Sequence, residues 1–283
     1  MPVSENNNNT PPTTQQSGND GGPSSGLDGI VEGTSGDDTI DAGYTGDPEG
    51  DRVDFSDNIF STDPADAEDD IIEAYEGNDS VLAGDGDDSV DAGDGHDTVR
   101  AGDGSDTLNG GAGNDTILGD NGNDLLIGQD GADRLEGGDD NDTMDGGNGD
   151  DVLEGGAGND ILRGRAGEDE LAGGLGRDFL TGGVGADFFV FRALTETVVG
   201  ANRDQILDFE QGVDLISVAG LSPGVFEFRG TGAFAPSGNP ELRLFETPTG
   251  STIVQLDADG DGNADAEIRV ANVTGLTADD FVL

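Results

Sequence analysis

The sequence of 283 residues has no cysteine, no tryptophan and no lysine, and its only histidine is His96. Without cysteine the chain forms no disulfide and carries out no thiol chemistry. It also contains no H-E-x-x-H or Walker A motif. Because a lone imidazole has no partner pattern around it, we interpret His96 as an exposed turn residue and predict that the protein is not an enzyme.

Positive charge is also scarce in this chain. The 62 acidic residues stand against only 11 arginines, which gives a formal net charge of −51. The chain thus lacks the basic footprint of a nucleic-acid-binding protein, and anionic membrane surfaces will repel it. No apolar run approaches the roughly 20 residues of a membrane span, so we expect no stable membrane insertion. Residues 1–26 lack the basic and apolar regions of a cleaved signal peptide, and their composition predicts a disordered tail.

Thirteen nine-residue units follow one another from residue 74 to residue 190. A typical unit, residues 110–118, reads GGAGNDTIL. Glycine prevails at positions one, two and four, where it allows the positive φ angles of a tight loop. Position eight is always apolar between mostly polar neighbours, which predicts a short strand with one buried face. One such strand buries little, so we expect the units to stack.

Position six is aspartate in every unit. Stacking will align these carboxylates roughly 5 Å apart, where like charges repel unless a cation lies between them. Calcium accepts carboxylate and carbonyl oxygens at six to eight positions, whereas magnesium demands strict octahedral geometry. The predicted aspartate ligands are Asp79, Asp88, Asp97, Asp106, Asp115, Asp124, Asp133, Asp142, Asp151, Asp160, Asp169, Asp178 and Asp187. The loop glycines predicted to offer carbonyl groups are Gly84, Gly86, Gly93, Gly95, Gly102, Gly104, Gly111, Gly113, Gly122, Gly131, Gly147, Gly149, Gly156 and Gly158.

The pattern G-G-x-G-x-D-x-U-x, in which U is apolar, resembles the calcium-binding repeat of RTX (hemolysin-type) proteins. The resemblance implies a parallel β-roll, in which two repeats make one right-handed coil and each calcium lies between repeats i and i+2. Thirteen repeats then give about 11 ions. Residues 74–190 hold 29 acidic residues and 5 arginines, a net charge of −24 that eleven divalent ions nearly cancel. Without metal, self-repulsion will expand the chain, so metal binding and folding are expected to be coupled.

Some units depart from this pattern. Tyr75, Asp120, Gln129 and Arg165 replace glycine at position two, and Asp140 replaces it at position four. The loop at these units must form without the residue that favours it most.

Residues 27–73 are predicted to be a degenerate entry to the roll. Residues 33–40 match the repeat from position one to position eight except at Thr34, and an acidic insertion follows. Stacked repeats need a cap on their terminal coil, and we expect the insertion to supply one. The alternative is a loop that binds a partner. The apolar side chains expected to cover the first coil are Phe55, Ile59, Phe60, Ile71 and Ile72.

Residues 191–283 are predicted to form a mostly β cap. Strand-like runs lie at residues 188–191, 233–234, 242–245, 252–256 and 266–270. Residues 204–216 carry D-x-I-x-D-F-x-x-G-x-D-x-I, which resembles the start of the C-terminal region of serralysin-type proteases. The final residues, TADDFVL, resemble the uncleaved C-terminal signal of RTX proteases. That resemblance implies export through a bacterial type I secretion apparatus.

The segment DADGDG at residues 257–262 matches the first half of an EF-hand loop. An EF-hand loop ends in glutamate at its twelfth position, which here is Ile268. One interpretation is the turn of a β-hairpin between flanking strands. The other is a further calcium site formed by Asp257, Asp259 and Asp261, with Asp265 as an additional ligand.

Taken together, these patterns predict an all-β protein: a right-handed, calcium-loaded parallel β-roll with a mostly β C-terminal cap. The expected function is that of a secreted, non-enzymatic calcium-binding protein at the cell surface or in the matrix. A cell-surface polysaccharide or protein is its expected partner. Two alternatives are a membrane-active or pore-forming effector, which the lack of an amphipathic helix disfavours, and a polysaccharide-active enzyme.

Overall fold

The computed structural model describes residues 30–32, 38–40 and 69–283. Each repeat forms one strand and one loop, and successive strands alternate between two β-sheets. The first sixteen strands are β1 Ile30–Glu32, β2 Thr39–Ile40, β3 Ile71–Glu73, β4 Ser80–Asp85, β5 Ser89–Asp91, β6 Thr98–Asp103, β7 Thr107–Ala112, β8 Thr116–Asn121, β9 Leu125–Asp130, β10 Arg134–Asp139, β11 Thr143–Asn148, β12 Val152–Gly158, β13 Ile161–Ala166, β14 Glu170–Gly176, β15 Phe179–Val184 and β16 Phe188–Val190.

Neighbouring strands in each sheet are parallel and lie two repeats apart. Leu135 in β10 lies opposite Ile117 in β8 and Leu153 in β12, each 18 residues away along the chain. One coil of the roll therefore contains two repeats. The predicted parallel β-roll is confirmed.

Within the repeats, the core lies between the two sheets and is formed mainly by the side chains at position eight. Leu108, Leu126 and Met144 are 0 % exposed, whereas the flanking Thr107 at position seven faces solvent. A fully buried leucine stabilises the fold by about 1.5–3 kcal/mol, but each repeat supplies only one such side chain. Stability therefore depends on the continuous stack, because each rung is covered by its neighbours.

Both sheets continue beyond Val190. The strands of this region are β17 Gln205–Ile206, β18 Leu215–Ser217, β19 Glu227–Phe228, β20 Glu241–Glu246, β21 Thr252–Asp257, β22 Ala266–Val270 and β23 Phe281–Val282, with one 3₁₀ turn at Ala278–Asp280. Strands β17 and β18 add parallel rungs to β15 and β16. Strand β22 pairs with β17 in parallel, in the sheet that contains β1, and β21 and β20 follow as antiparallel neighbours. Strand β23 joins β18 in the other sheet. The described residues include no helix that is long and apolar enough to cross a membrane.

One predicted strand is wrong. Ala233 and Phe234 lie in a loop, where the N–H of Ala235 donates to the carboxylate of Glu241 instead of to a neighbouring strand. Phe234 lies under the guanidinium of Arg243, 4.5 Å from ring centroid to carbon. Its apolar character serves this stacking contact and not a strand.

The first described rungs precede the thirteen repeats. Ile40 in β2 is fully buried and lies opposite Val81 in β4, and Ile72 in β3 is fully buried opposite Val90 in β5. Strands β2 and β3 thus each supply a rung ahead of the thirteen repeats. Phe55, Ile59 and Phe60, which we expect to cover the first coil, lie outside the described residues.

Candidate metal centre

The loops keep a positive φ at the positions where another residue replaces glycine. Tyr75, Asp120, Gln129 and Arg165 at position two, and Asp140 at position four, all have φ between 71° and 85°. This left-handed conformation costs a non-glycine residue about 1–2 kcal/mol. Contacts with the neighbouring turns of the stack fix the loop conformation. The backbone oxygens of the loop therefore stay in place even where glycine is missing.

The sixth-position aspartates form two rows, one for the loops that enter each sheet. From Asp79 to Asp169, the backbone N–H of each of these aspartates donates to Oδ1 of the aspartate 18 residues further on. The N–H of Asp115 thus lies 2.8 Å from Oδ1 of Asp133, and the N–H of Asp133 lies 2.9 Å from Oδ1 of Asp151. These aspartates are at most 3 % exposed. One carboxylate oxygen of each residue, Oδ1, is therefore held by a hydrogen bond from the neighbouring turn.

In twelve of these aspartates the second carboxylate oxygen, Oδ2, is buried and has no hydrogen-bond partner within the described part of the chain. A buried carboxylate oxygen without a partner is strongly unfavourable, and native proteins rarely contain one. Twelve such oxygens in a periodic array therefore indicate a missing cationic partner. They belong to Asp88, Asp97, Asp106, Asp115, Asp124, Asp133, Asp142, Asp151, Asp160, Asp169, Asp178 and Asp187.

Loop carbonyl groups supply further oxygens. Among the described residues, no backbone N–H donates to the position-four carbonyls of Gly95, Gly113 or Gly131. The carboxylate also lies tightly inside its own loop: a methyl group on Gly119, at position one, would collide with Oδ2 of Asp124. Carboxylate and carbonyl oxygens without nitrogen or sulfur are the donor set of calcium, so the residues present fit this ion.

Burial raises the pKa of aspartates in both rows. Desolvation raises the pKa of Asp88 from 3.8 to about 8 and the pKa of Asp106 to about 7, and hydrogen bonds from the preceding aspartates oppose the shift. Burial likewise raises the pKa of Asp142 and Asp160 to about 7. Without metal, the folded rows thus take up protons at a higher pH than exposed aspartates do.

The structure extends both rows to residues that the sequence analysis did not select. Oδ1 of Asp204 accepts the N–H of Asp178 at 2.9 Å, and Oδ1 of Asp214 accepts the N–H of Asp187 at 3.1 Å. At the other end, Asp38 and Asp70 donate their N–H groups to Asp79 and Asp88. All four stand two residues before a branched apolar residue, as in Asp70-Ile71-Ile72. That Asp-x-Ile signal could have identified them, even where the glycines of the repeat are absent.

The DADGDG segment is the turn between the antiparallel strands β21 and β22, in agreement with the hairpin interpretation. Carboxylate oxygens of Asp257, Asp259 and Asp265 lie within 4.8 Å of one another, and Asp261 is not part of this group. Both oxygens of Asp257 already accept loop N–H groups, including that of Gly260 at 2.8 Å and that of Gly262 at 2.8 Å. Both oxygens of this buried carboxylate therefore have protein partners, whereas a row carboxylate has one only on Oδ1.

His96 is exposed in a loop, as predicted. Its Nδ1 accepts the N–H of Asn114 at 2.7 Å, and its own N–H donates to Oδ1 of Asn78 at 2.9 Å. Position five of other repeats makes the same contact with Asn or Asp, for example from Asn159 to Asn141. The histidine therefore has a structural role in a ladder of loop side chains.

Replacing Asp133 by asparagine is expected to lower the bound calcium by about one or two ions, because Asp133 belongs to pairs with Asp115 and Asp151. The amide retains an oxygen for the N–H of Asp115 but loses the charge. Equilibrium dialysis with metal analysis measures this loss. Asp139→Asn removes the same charge from an exposed position-three side chain and should leave the count unchanged. Equal calcium counts in both variants and the parent would contradict a ligand role.

Comparison with known proteins identifies the family of the repeats. The family of RTX calcium-binding nonapeptide repeats matches residues 25–44, 65–99, 91–126, 100–135, 118–153, 127–162 and 154–189, which together cover just over half of the chain. The solution structure of the AlgE6R3 subunit from the Azotobacter vinelandii mannuronan C5-epimerase is 32 % identical in sequence. That alignment covers 52 % of this chain and 80 % of the subunit, with a TM-score of 0.41. No curated protein matches significantly. The chain belongs to the family of RTX calcium-binding nonapeptide repeat proteins.

Proposed function

We propose that this calcium-binding repeat protein is secreted and non-enzymatic, and that it folds when it meets calcium outside the cell. Its folded roll then acts at the cell surface or in the extracellular matrix, by adhesion, by assembly or by sequestering calcium. A polysaccharide or protein of the cell surface is the partner that fits this role.

The observation that carries the proposal is the array of twelve buried Oδ2 atoms without a partner. Each carboxylate has an oxygen fixed by the fold and a second one directed to nothing in the described chain. A calcium ion would supply the missing charge between neighbouring loops, held by Oδ2 of the aspartates and by carbonyl groups at positions two and four. Extracellular calcium sites work at about 10⁻⁴–10⁻³ M, so cytosolic calcium would leave this array empty and the chain unfolded.

The C-terminus supports export before folding. Phe281 in β23 is 7 % exposed and pairs with Ile216, so this side chain is packed against the roll in the folded protein. A type I secretion apparatus that recognises residues 277–283 would reach them in the unfolded chain. Low cytosolic calcium keeps the chain in that state.

The number of ions follows from the number of adjacent aspartate pairs. Thirteen repeats give about 11 pairs two repeats apart. The pairs that involve Asp38, Asp70, Asp204 and Asp214 add four more, and we propose these as the upper limit of the array. The count therefore lies between about 11 and about 15 ions.

A calcium titration followed by far-UV circular dichroism tests the proposal, with magnesium as the control. We expect a cooperative gain of β signal with calcium alone, at a midpoint of about 10⁻⁴–10⁻³ M. Metal analysis at saturation then gives the number of ions. A chain that is already folded in chelator at neutral pH, or that folds equally well in magnesium, would contradict the proposal.

A further inference from the structure

Three asparagines in the roll are followed directly by glycine: Asn109-Gly110, Asn121-Gly122 and Asn148-Gly149. In such a pair the backbone nitrogen of glycine attacks Cγ of the asparagine side chain. Glycine permits this reaction best, because it has no Cβ to hinder the approach and its backbone is the most adaptable. These three dipeptides are therefore the most reactive asparagines of the sequence.

The two reacting groups of Asn121-Gly122 are hydrogen-bonded to different neighbouring turns. Nδ2 of Asn121 donates to Oδ1 of Asp103, 2.6 Å away and 18 residues earlier. The N–H of Gly122 donates to the carbonyl of Asp139, 3.2 Å away in the following turn. Stacking thus directs the electrophile to one neighbour and the nucleophile to the other.

The second pair has the same arrangement. Nδ2 of Asn148 donates to Oδ1 of Asp130 at 2.7 Å, and the N–H of Gly149 donates to the carbonyl of Ala166 at 2.7 Å. Asn109 is held on both sides as well: its Nδ2 donates to Asp91 at 3.0 Å and its Oδ1 accepts Nε2 of Gln129 at 2.5 Å. All three amides are fixed by contacts that exist only in the stacked roll.

We propose that these asparagines are deamidation sites that the folded roll protects and the calcium-free chain exposes. When the turns separate, the glycine nitrogen forms a bond to Cγ and the Cγ–Nδ2 bond breaks. The glycine N–H proton leaves with Nδ2 as ammonia, and a succinimide ring remains in the chain. Water then opens the ring at either carbonyl and yields aspartate or isoaspartate. Protection by calcium in this scheme rests on the calcium-dependent folding proposed above.

The products will impair stacking. An aspartate at position 121 places a carboxylate opposite Asp103, where the asparagine amide now donates a hydrogen bond. An isoaspartate adds a main-chain atom to the loop that positions Asp124, whose Oδ1 must meet the N–H of Asp106 at 2.8 Å. A chain that stays long without calcium will therefore progressively lose its ability to fold.

The test incubates the full chain at mildly alkaline pH in calcium, in chelator and in urea, and maps the modified peptides by mass spectrometry. In calcium we expect all three sites to react at least about tenfold more slowly than in urea, which corresponds to about 1.4 kcal/mol of opening free energy. In chelator the rates should equal those in urea. Circular dichroism of the same samples shows which of them are folded.

Two crossed variants separate local protection from general stability. Asp103→Ala removes the anchor of the Asn121 amide, and Asp130→Ala removes that of Asn148. In calcium, each variant should speed deamidation several-fold at its own asparagine and leave the other unchanged. Equal rates in folded and urea-treated samples would overturn the inference. A chain that is folded and protected in chelator as well would instead overturn only calcium-dependent folding and the calcium control that rests on it.

Discussion

Gly113→Ala is expected to prevent the roll from forming as one cooperative unit, even in saturating calcium. Gly113 is at position four with φ +137°, and a Cβ there would overlap the carbonyl oxygen of Gly95 in the preceding turn. That neighbour is backbone held by the stack, so it cannot move aside as a flexible side chain would. We expect a loss of more than about 4 kcal/mol, in the exceptional range for a single substitution.

Urea unfolding of the calcium-loaded variant measures this loss, and Gly200→Ala is the matched control. Gly200 also has a positive φ, +110°, but no atom lies within 4 Å of a Cβ built on it. The control should cost only the conformational strain, about 1–2 kcal/mol. In a stacked array, a broken rung separates the two flanking segments, so the Gly113 variant should also unfold in more than one transition. Similar losses in both variants would contradict the close contact between turns.

Acidification is expected to fold the calcium-free chain in part. Burial raises the pKa of Asp106, Asp142, Asp151 and Asp160 from 3.8 to about 7. At neutral pH each of these carboxylates then disfavours the metal-free folded state by on the order of 4 kcal/mol. Several of them together exceed the roughly 5–15 kcal/mol that stabilises a typical domain. Protonation removes this penalty.

The direction of the pH effect follows from which state binds protons. The folded, metal-free rows take up protons as the pH falls below about 8, and the unfolded chain does so only near its ordinary pKa of 3.8. The stability of the metal-free folded state therefore rises as the pH falls from 8 to 4. Circular dichroism in chelator at about pH 5.5 should show more β signal than at about pH 8, whereas calcium-loaded protein should show the same signal at both. Size-exclusion chromatography distinguishes folding from aggregation. A chelated chain that stays unfolded at both pH values would contradict the prediction.

The sequence was most informative where one residue type had one physical task. Apolar position eight predicted the buried strand, and Leu108 and Leu126 are fully buried. Aspartate at position six predicted the two rows that the structure contains. Sequence reasoning failed where the same task is done without the glycine signature: Asp204 and Asp214 continue the rows from segments that do not repeat. Their position in the stack depends on strands β17 and β18, whose pairing partners are distant in sequence.

The sequence by itself determined the repeat length, the buried side chains and the oxygen-rich donor set of the metal centre, because these depend on local spacing and residue chemistry. Only the tertiary structure decided what each carboxylate oxygen contacts. Oδ1 of Asp133 meets an N–H from the preceding turn, and its Oδ2 has no partner in the described chain, although both belong to the same group. It also decided why Asp257 differs, since its loop folds back to satisfy both oxygens. Such distinctions arise from atoms brought together across turns, which no nine-residue pattern records.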